Sequence, residues 1–229
     1  MTEAVIESVE EPAPAIAPAP AGAAITTEAE LRALLGEPKE RAVNKERVRL
    51  LPIDRRWLAA SPLCFLATCD DLGNCDVSPK GDPAGSVHVL DDHTLVVPDR
   101  PGNRRVDGFL NILENPRVGL IFLVPRRHDT LRVNGTARIL LDPPYAEELR
   151  HRNHVPRLVL EVGVEEVFTH CAKAFLRSGL WEPEQWPEDD LPSIAQMAAR
   201  TTDDMTLAEM EAYYTEENTR SILYRATPP

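Results

Sequence analysis

The chain has 229 residues, a length that suits one domain with added elements, or a domain and a small lobe. Its formal net charge of −12 argues against non-specific nucleic-acid binding, which depends on Lys and Arg neutralising phosphates. No apolar run approaches the roughly 18 residues of a membrane-spanning helix, and no basic stretch followed by an apolar core opens the chain, so neither a membrane nor a secretory signal is expected.

Residues 1–24 read as a disordered tail, rich in Ala, Pro and Glu, that buries too little apolar surface to offset its ordering entropy. Order is expected from Thr27. Thr27 and Glu30 form a capping box, Leu31, Leu34 and Leu35 make an apolar stripe, and Gly36 is a stop signal. Asp54 is a candidate cap for a second short helix through Ala60. The pattern then changes to strands. Leu63–Thr68 and Cys75–Ser78 flank the turn residues Asp71-Leu72-Gly73-Asn74, a hairpin signal. Val87–Leu90 and Thr94–Val97 flank Asp91-Asp92-His93, a second one. Val106–Glu114 has a helical apolar face and ends at Asn115-Pro116. Val118–Val124 and Thr130–Leu140 are strands. Asn134-Gly135 inside the latter suggests a bulge, or close approach to a ligand, in preference to a hairpin tip. Leu158–Phe168 is a further strand. His170–Arg177 and Ser193–Arg200 are short helices around an acidic, Pro-rich linker, Glu182–Pro192. Thr206–Tyr224, opened by a Thr206/Glu209 capping box, is expected as one long helix.

About seven strands in sequential hairpins, with one helix between the fourth and fifth, point to an antiparallel barrel or sandwich. The expected class is mainly β with flanking helices (α+β). The division is a tail over 1–24, a helical segment over 25–60, the β domain over 61–180, and an acidic linker with C-terminal helices over 181–229. Acidity concentrates at the end: residues 180–229 carry eleven acids and three bases, whereas residues 90–159 carry nine acids and eleven arginines. The middle of the chain can therefore hold an anion. The four cysteines, Cys64, Cys69, Cys75 and Cys171, form no C-x-x-C pair and lie near no His cluster. They read as reduced, structural thiols of a cytoplasmic protein, and no metal site is expected.

Three stretches could carry chemistry. In Pro98-Asp99-Arg100-Pro101-Gly102-Asn103-Arg104-Arg105, three arginines precede a helix, whose N-terminal N–H groups and partial positive charge add to arginine forks in holding a phosphomonoester. A solvated basic loop is the competing explanation. In Ser78-Pro79-Lys80-Gly81-Asp82, the backbone can approach a planar ligand, with Ser78 and Lys80 as polar anchors, unless it is a plain connection. Lys173 and Arg177 are four apart on one helix face, where they repel unless an anion or acids lie opposite. No classical nucleophile, phosphate-loop or zinc motif is present.

Arg100-Pro-Gly-Asn-Arg-Arg, then a helix, then Ile112-Leu-Glu-Asn-Pro-Arg-Val-Gly-Leu-Ile-Phe, then Leu131-Arg-Val-Asn-Gly-Thr-Ala, resembles the pyridoxamine 5′-phosphate oxidase-like flavoproteins. The resembling span runs from about Trp57 to Trp181. The resemblance implies an antiparallel split β-barrel, a homodimer, and FMN at its interface. It places Arg100, Asn103, Arg104 and Arg105 on the FMN phosphate, and Ser78, Pro79, Lys80 and Gly81 along the ribityl chain and ring edge. Arg132 and Asn134 would approach the flavin from the later strand, with Lys173 and Arg177 completing the site. The C-terminus departs from the substrate-gripping Trp- and Arg-containing segment of the true oxidases, which counts against a vitamin B6 substrate and leaves the substrate open. The expectation is thus an FMN-dependent oxidoreductase acting on a small-molecule substrate and an electron donor, with no assigned catalytic residue. The alternatives are a flavin carrier or sensor without rapid turnover, a related barrel holding the deazaflavin F420 or heme, and an adaptor without cofactor.

Overall fold

The computed structural model describes residues 22–187, 190–202 and 204–224, so the tail expected over 1–24 lies almost wholly outside the described residues. The chain divides into two compact units after Lys45. In the first, α1 (Glu28–Leu35) is followed by α2 (Glu40–Val43). The Thr27 hydroxyl accepts from Glu30 N at 3.2 Å, and the Glu30 carboxylate accepts from Thr27 N at 3.0 Å, as the capping box requires. Gly36 closes α1 with a left-handed φ of 74°.

The second unit starts with α3 (Pro52–Ala60). Asp54 does not stand at its N-cap. Proline's fixed φ lets the helix begin three residues earlier, and Asp54 reaches back to accept from Leu51 N at 2.8 Å. Its carboxylate, 3% exposed, also receives both arms of the Arg47 guanidinium.

Seven strands follow: β1 (Leu63–Cys69), β2 (Cys75–Gly81), β3 (His88–Val89), β4 (Thr94–Pro98), β5 (Arg117–Leu123), β6 (Thr130–Leu141) and β7 (Leu158–His170). They form one antiparallel sheet in the order β2-β1-β5-β6-β7-β4-β3, open between its edge strands β2 and β3. This is the expected split-barrel arrangement. The helix α4 (Asp107–Glu114) links β4 to β5 and lies against β1, β2 and β6. Inward-facing residues of β1, β4, β5, β6 and β7 make the core: Leu66, Leu120, Phe122, Leu131, Val133 and Val162 are completely buried, each contributing about 1.5–3 kcal/mol. Their neighbours one residue along face outward. Phe65, Val77 and Ile121 share that outer face and are 38–61% exposed. Pro79 sits opposite Phe65 on the edge strand.

The Asn134-Gly135 pair marks a bulge: Asn134 pairs with Glu166 but Gly135 with Val164, leaving Glu165 as the extra residue on β7. What approaches Gly135 is backbone. A Cβ there would fall 1.9 Å from the Gly163 carbonyl oxygen, so only glycine fits.

After β7 come α5 (Lys173–Ser178), α6 (Ile194–Ala198), α7 (Leu207–Tyr213) and α8 (Glu216–Ile222). The single helix expected over Thr206–Tyr224 is two. Thr215 acts as a fresh N-cap, accepting from Asn218 N at 3.2 Å, and the Asn218 amide donates to Tyr213 O at 2.6 Å. A second start signal had been concealed inside a continuous helical pattern. No helix among the described residues is long and apolar enough to cross a membrane.

Candidate functional site

The inner side of β2 faces the segment joining β4 to α4. Residues 78–81 and 99–103 both line a cavity of about 420 Å³, floored by Cys64, Val97 and Phe122. Ser78, Pro79, Lys80 and the 99–103 segment also line a second cavity of about 770 Å³, which runs on past Arg104, Arg105 and Phe109 to His154 and Arg157. The two cavities adjoin along this common wall, and each is in the size range of small-molecule and cofactor sites.

The turn entering α4 is strained. Arg104 (φ 63°) and Val106 (φ 53°) are left-handed, and a β-branched residue there is an outlier that the surroundings must impose. Val106 is the N-cap and offers no side-chain acceptor; Phe109 N donates to Val106 O at 2.8 Å, whereas Asp107 and Gly108, which line the second cavity, have no side-chain cap among the described residues. The Asn103 side chain accepts from Arg105 N at 3.0 Å and fixes the turn.

The three arginines of this turn are in different states. Arg100, its side chain 12% exposed, spends its guanidinium internally. Nε donates to Asp82 at 2.6 Å, Nη2 donates to Leu149 O at 2.8 Å, and Nη1 lies 3.2 Å from His154 Nδ1. Tyr224, beyond α8, donates its hydroxyl to the second Asp82 oxygen at 2.6 Å, and its ring lies under Arg100 and Arg152. Arg105 holds Asp107 at 2.8 Å. Arg104 is exposed and makes no hydrogen bond or ion pair with any described residue.

On β2, the Lys80 ammonium lies 5.4 Å from the Phe109 ring centroid. Ser78 Oγ is buried and has no hydrogen-bond partner, an arrangement that costs about 1–3 kcal/mol unless something satisfies it. Asp99, on the common wall, has its pKa raised by burial, partly offset by Lys80. Burial pushes the Cys64 thiol up to about 12, so it is an inert wall residue. Burial, then the Arg100 charge, lowers the His154 pKa from 6.5.

Eight of the expected residues thus meet around these two adjoining cavities: Ser78, Pro79, Lys80, Gly81, Arg100, Asn103, Arg104 and Arg105. Four do not line them. Arg132 and Asn134 lie on β6, three strands from β2, or about 14 Å at the usual strand spacing. Arg132 donates to Asn134 Oδ1 at 3.2 Å and lies over Phe168, and the Asn134 amide donates to Glu166, so both are held within the outer sheet face. Lys173 and Arg177 follow β7 on α5 and line neither cavity. Conversely, Asp82, Asp99, His154 and Tyr224 were not anticipated. Asp82 and Asp99 lie inside the stretches singled out by sequence but had been given no role. His154 and Tyr224 join through contacts 54 and 142 residues long, for which the sequence carries no local signal.

The family model for pyridoxamine 5′-phosphate oxidase matches residues 54–171, just over half of the chain. Among solved structures, the chain is similar to a candidate pyridoxamine 5′-phosphate oxidase of Lactobacillus delbrueckii, with 28% identity and a TM-score of 0.43 over 53% of this chain and 95% of that one. It is similar to HupZ of Group A Streptococcus, with 24% identity and a TM-score of 0.43 over 52% and 93% of the respective chains. It is also similar to an FMN-binding protein of Syntrophomonas wolfei, with 13% identity and a TM-score of 0.40 over 52% and 89%. No curated protein matches it.

Proposed function

The chain belongs to the pyridoxamine 5′-phosphate oxidase family, and from that premise we propose that it is an FMN-dependent oxidoreductase acting on a small molecule in the cytoplasm. One observation carries the reading. Two segments some twenty residues apart converge on a single cleft that combines an uncapped helix N-terminus, an uncommitted arginine and a buried hydroxyl lacking a partner. These fit a phosphorylated ligand with a polar, hydrogen-bonding body.

When bound, FMN would supply the electron-transfer chemistry. The protein's part is to bind and orient. Arg104 and the first-turn N–H groups of α4 would hold the phosphate, with Arg105 joining at the expense of its bond to Asp107. Arg100 supports this turn from behind. Ser78 would donate to or accept from the ribityl chain, and Lys80 would place a cation near the ring edge. Asn103 would hold the turn in shape. Arg132, Asn134, Lys173 and Arg177, which lie off this cleft, would bear on the flavin only from a second subunit. Phe65, Val77, Pro79 and Ile121 give one sheet face an apolar surface beside the cleft, which supports a homodimer closing over it.

An absorbance spectrum of the purified protein, with mass spectrometry of the heat-released ligand, tests the cofactor. The expected result is a yellow protein releasing FMN that NADH or NADPH bleaches. Retention of FMN without bleaching by any reduced donor would favour a carrier or sensor. Release of F420 or heme, or failure to take up added FMN, would overturn the assignment.

A further inference from the structure

The four cysteines looked purely structural in the sequence, but the strand register sets two of them apart. We infer that Cys69 and Cys75 form a reversible dithiol–disulfide site at the tip of the β1–β2 hairpin. They are directly opposed across the antiparallel pair. The next pair toward the tip is hydrogen-bonded, with Asp70 N donating to Asn74 O at 3.1 Å. Hydrogen-bonded and non-hydrogen-bonded pairs alternate, so Cys69 and Cys75 occupy a non-hydrogen-bonded pair. There the Cα atoms approach to about 4.5 Å and the side chains stand closest. That separation lies within the range disulfides span, roughly 4.4–6.8 Å. Pro79 checks the alternation independently. It opposes Phe65 four residues along, in the same class of pair, where its missing N–H would point away from β1 to the open edge.

The surroundings suit the same chemistry. Cys75 is exposed and Cys69 half-buried, so an oxidant reaches both. Asn115, at the end of α4, donates its amide to the Cys69 sulfur at 3.1 Å and fixes its position. The Cys75 thiol donates to Gly73 O at 3.5 Å, a weak contact that a rotation about χ1 releases. Cys64 faces the opposite side of β1 within the core, and Cys171 follows β7, so neither competes for either sulfur.

With hydrogen peroxide as oxidant, one thiolate attacks the O–O bond, giving a sulfenic acid and water once the leaving hydroxide is protonated. The second thiol attacks that sulfur, forming the S–S bond and expelling a second water. Two thiols thus lose two electrons and two protons while one peroxide becomes two waters. A reducing thiol reverses the step by exchange. β2 has β1 as its single strand partner, so this bond would tie the strand carrying Ser78–Gly81 covalently to the sheet. The site stands on the hairpin register alone and does not depend on the flavin assignment.

The test is to expose the full, reduced protein to hydrogen peroxide, count free thiols, and map the product after cleavage on the N-terminal side of aspartates. Such cleavage separates Cys69 from Cys75 at Asp70 and Asp71 but leaves Cys64 and Cys69 together in residues 54–69, so the Cys64→Ser variant assigns the linked sulfur. The expected result is a fall from four free thiols to two per chain, with linked peptides carrying Cys69 and Cys75, restored by a phosphine reductant. Cys69→Ser and Cys75→Ser should each abolish the linkage, and Cys64→Ser and Cys171→Ser should leave it intact. Four surviving thiols at a peroxide dose that oxidises free glutathione would overturn the proposal. So would a linkage through Cys64 or Cys171, a bond between chains, or separate sulfinic acids at the two positions.

Discussion

Arg100 and Arg104 stand four residues apart in one turn and do opposite things. Arg100 is folded inward, with every arm of its guanidinium taken by Asp82, Leu149 O and His154. Arg104 projects from a left-handed backbone position and makes no hydrogen bond or ion pair among the described residues. A buried charge fully satisfied by its own chain belongs to the scaffold, whereas a charge held in a strained position with no partner is available to a ligand. A cluster of arginines in sequence is therefore not one site with one role, and substitutions should separate the two roles cleanly.

The largest effect is expected for Arg100→Ala. It leaves the Asp82 carboxylate buried beside Tyr224 alone, and breaking such a pair costs about 3–5 kcal/mol. Chemical denaturation should register that loss whether or not flavin is present. Arg104→Ala should leave the unfolding midpoint of the apoprotein unchanged while weakening FMN by about 1.5–3 kcal/mol in a fluorescence titration. If Arg104→Ala also destabilised the apoprotein, or left the dissociation constant untouched, the contrast between the two arginines would collapse. Tyr224→Phe removes one of the two groups holding Asp82, and about 1 kcal/mol of stability should go with it in the same denaturation assay. Smallest is a pH effect. The folded state disfavours protonated His154, so as pH falls below 6.5 the unfolded chain takes up that proton first and stability declines. Melting curves at about pH 7.5 and pH 5.5 should show a shallower acid-side fall for His154→Gln than for the parent protein. Equal slopes would mean that His154 plays no part in the Arg100 cluster.

Much of the fold was legible because its signals are local. Leu63–Thr68, Val118–Val124 and Thr130–Leu140 announce strands by apolar content, and Asn134-Gly135 announces a bulge because glycine is tolerated there for a reason. That reason is a backbone atom of β7, which lies far off in sequence. Legibility failed where two signals overlapped. The Thr206–Tyr224 stretch keeps helical periodicity throughout, so Thr215 was hidden as a cap. Asp54 looks like a cap until Pro52 claims the first turn. For the cleft, the meeting of the 78–81 and 100–105 stretches followed from the family resemblance, since their residue types alone left a solvated loop and a plain connection open. The split between Arg100 and Arg104 was not, since it depends on Asp82, Leu149, His154 and Tyr224 arriving from distant segments.

Pro79 has a consequence beyond the cleft it lines. An open sheet ends in a row of backbone groups that another chain can copy, and β2 is such an end. A proline at the middle of that row removes a donor that an incoming strand would need, so a stacked array could not grow in register past it. The protein can leave its barrel split, as a cleft demands, without offering that edge as a seed for fibrils.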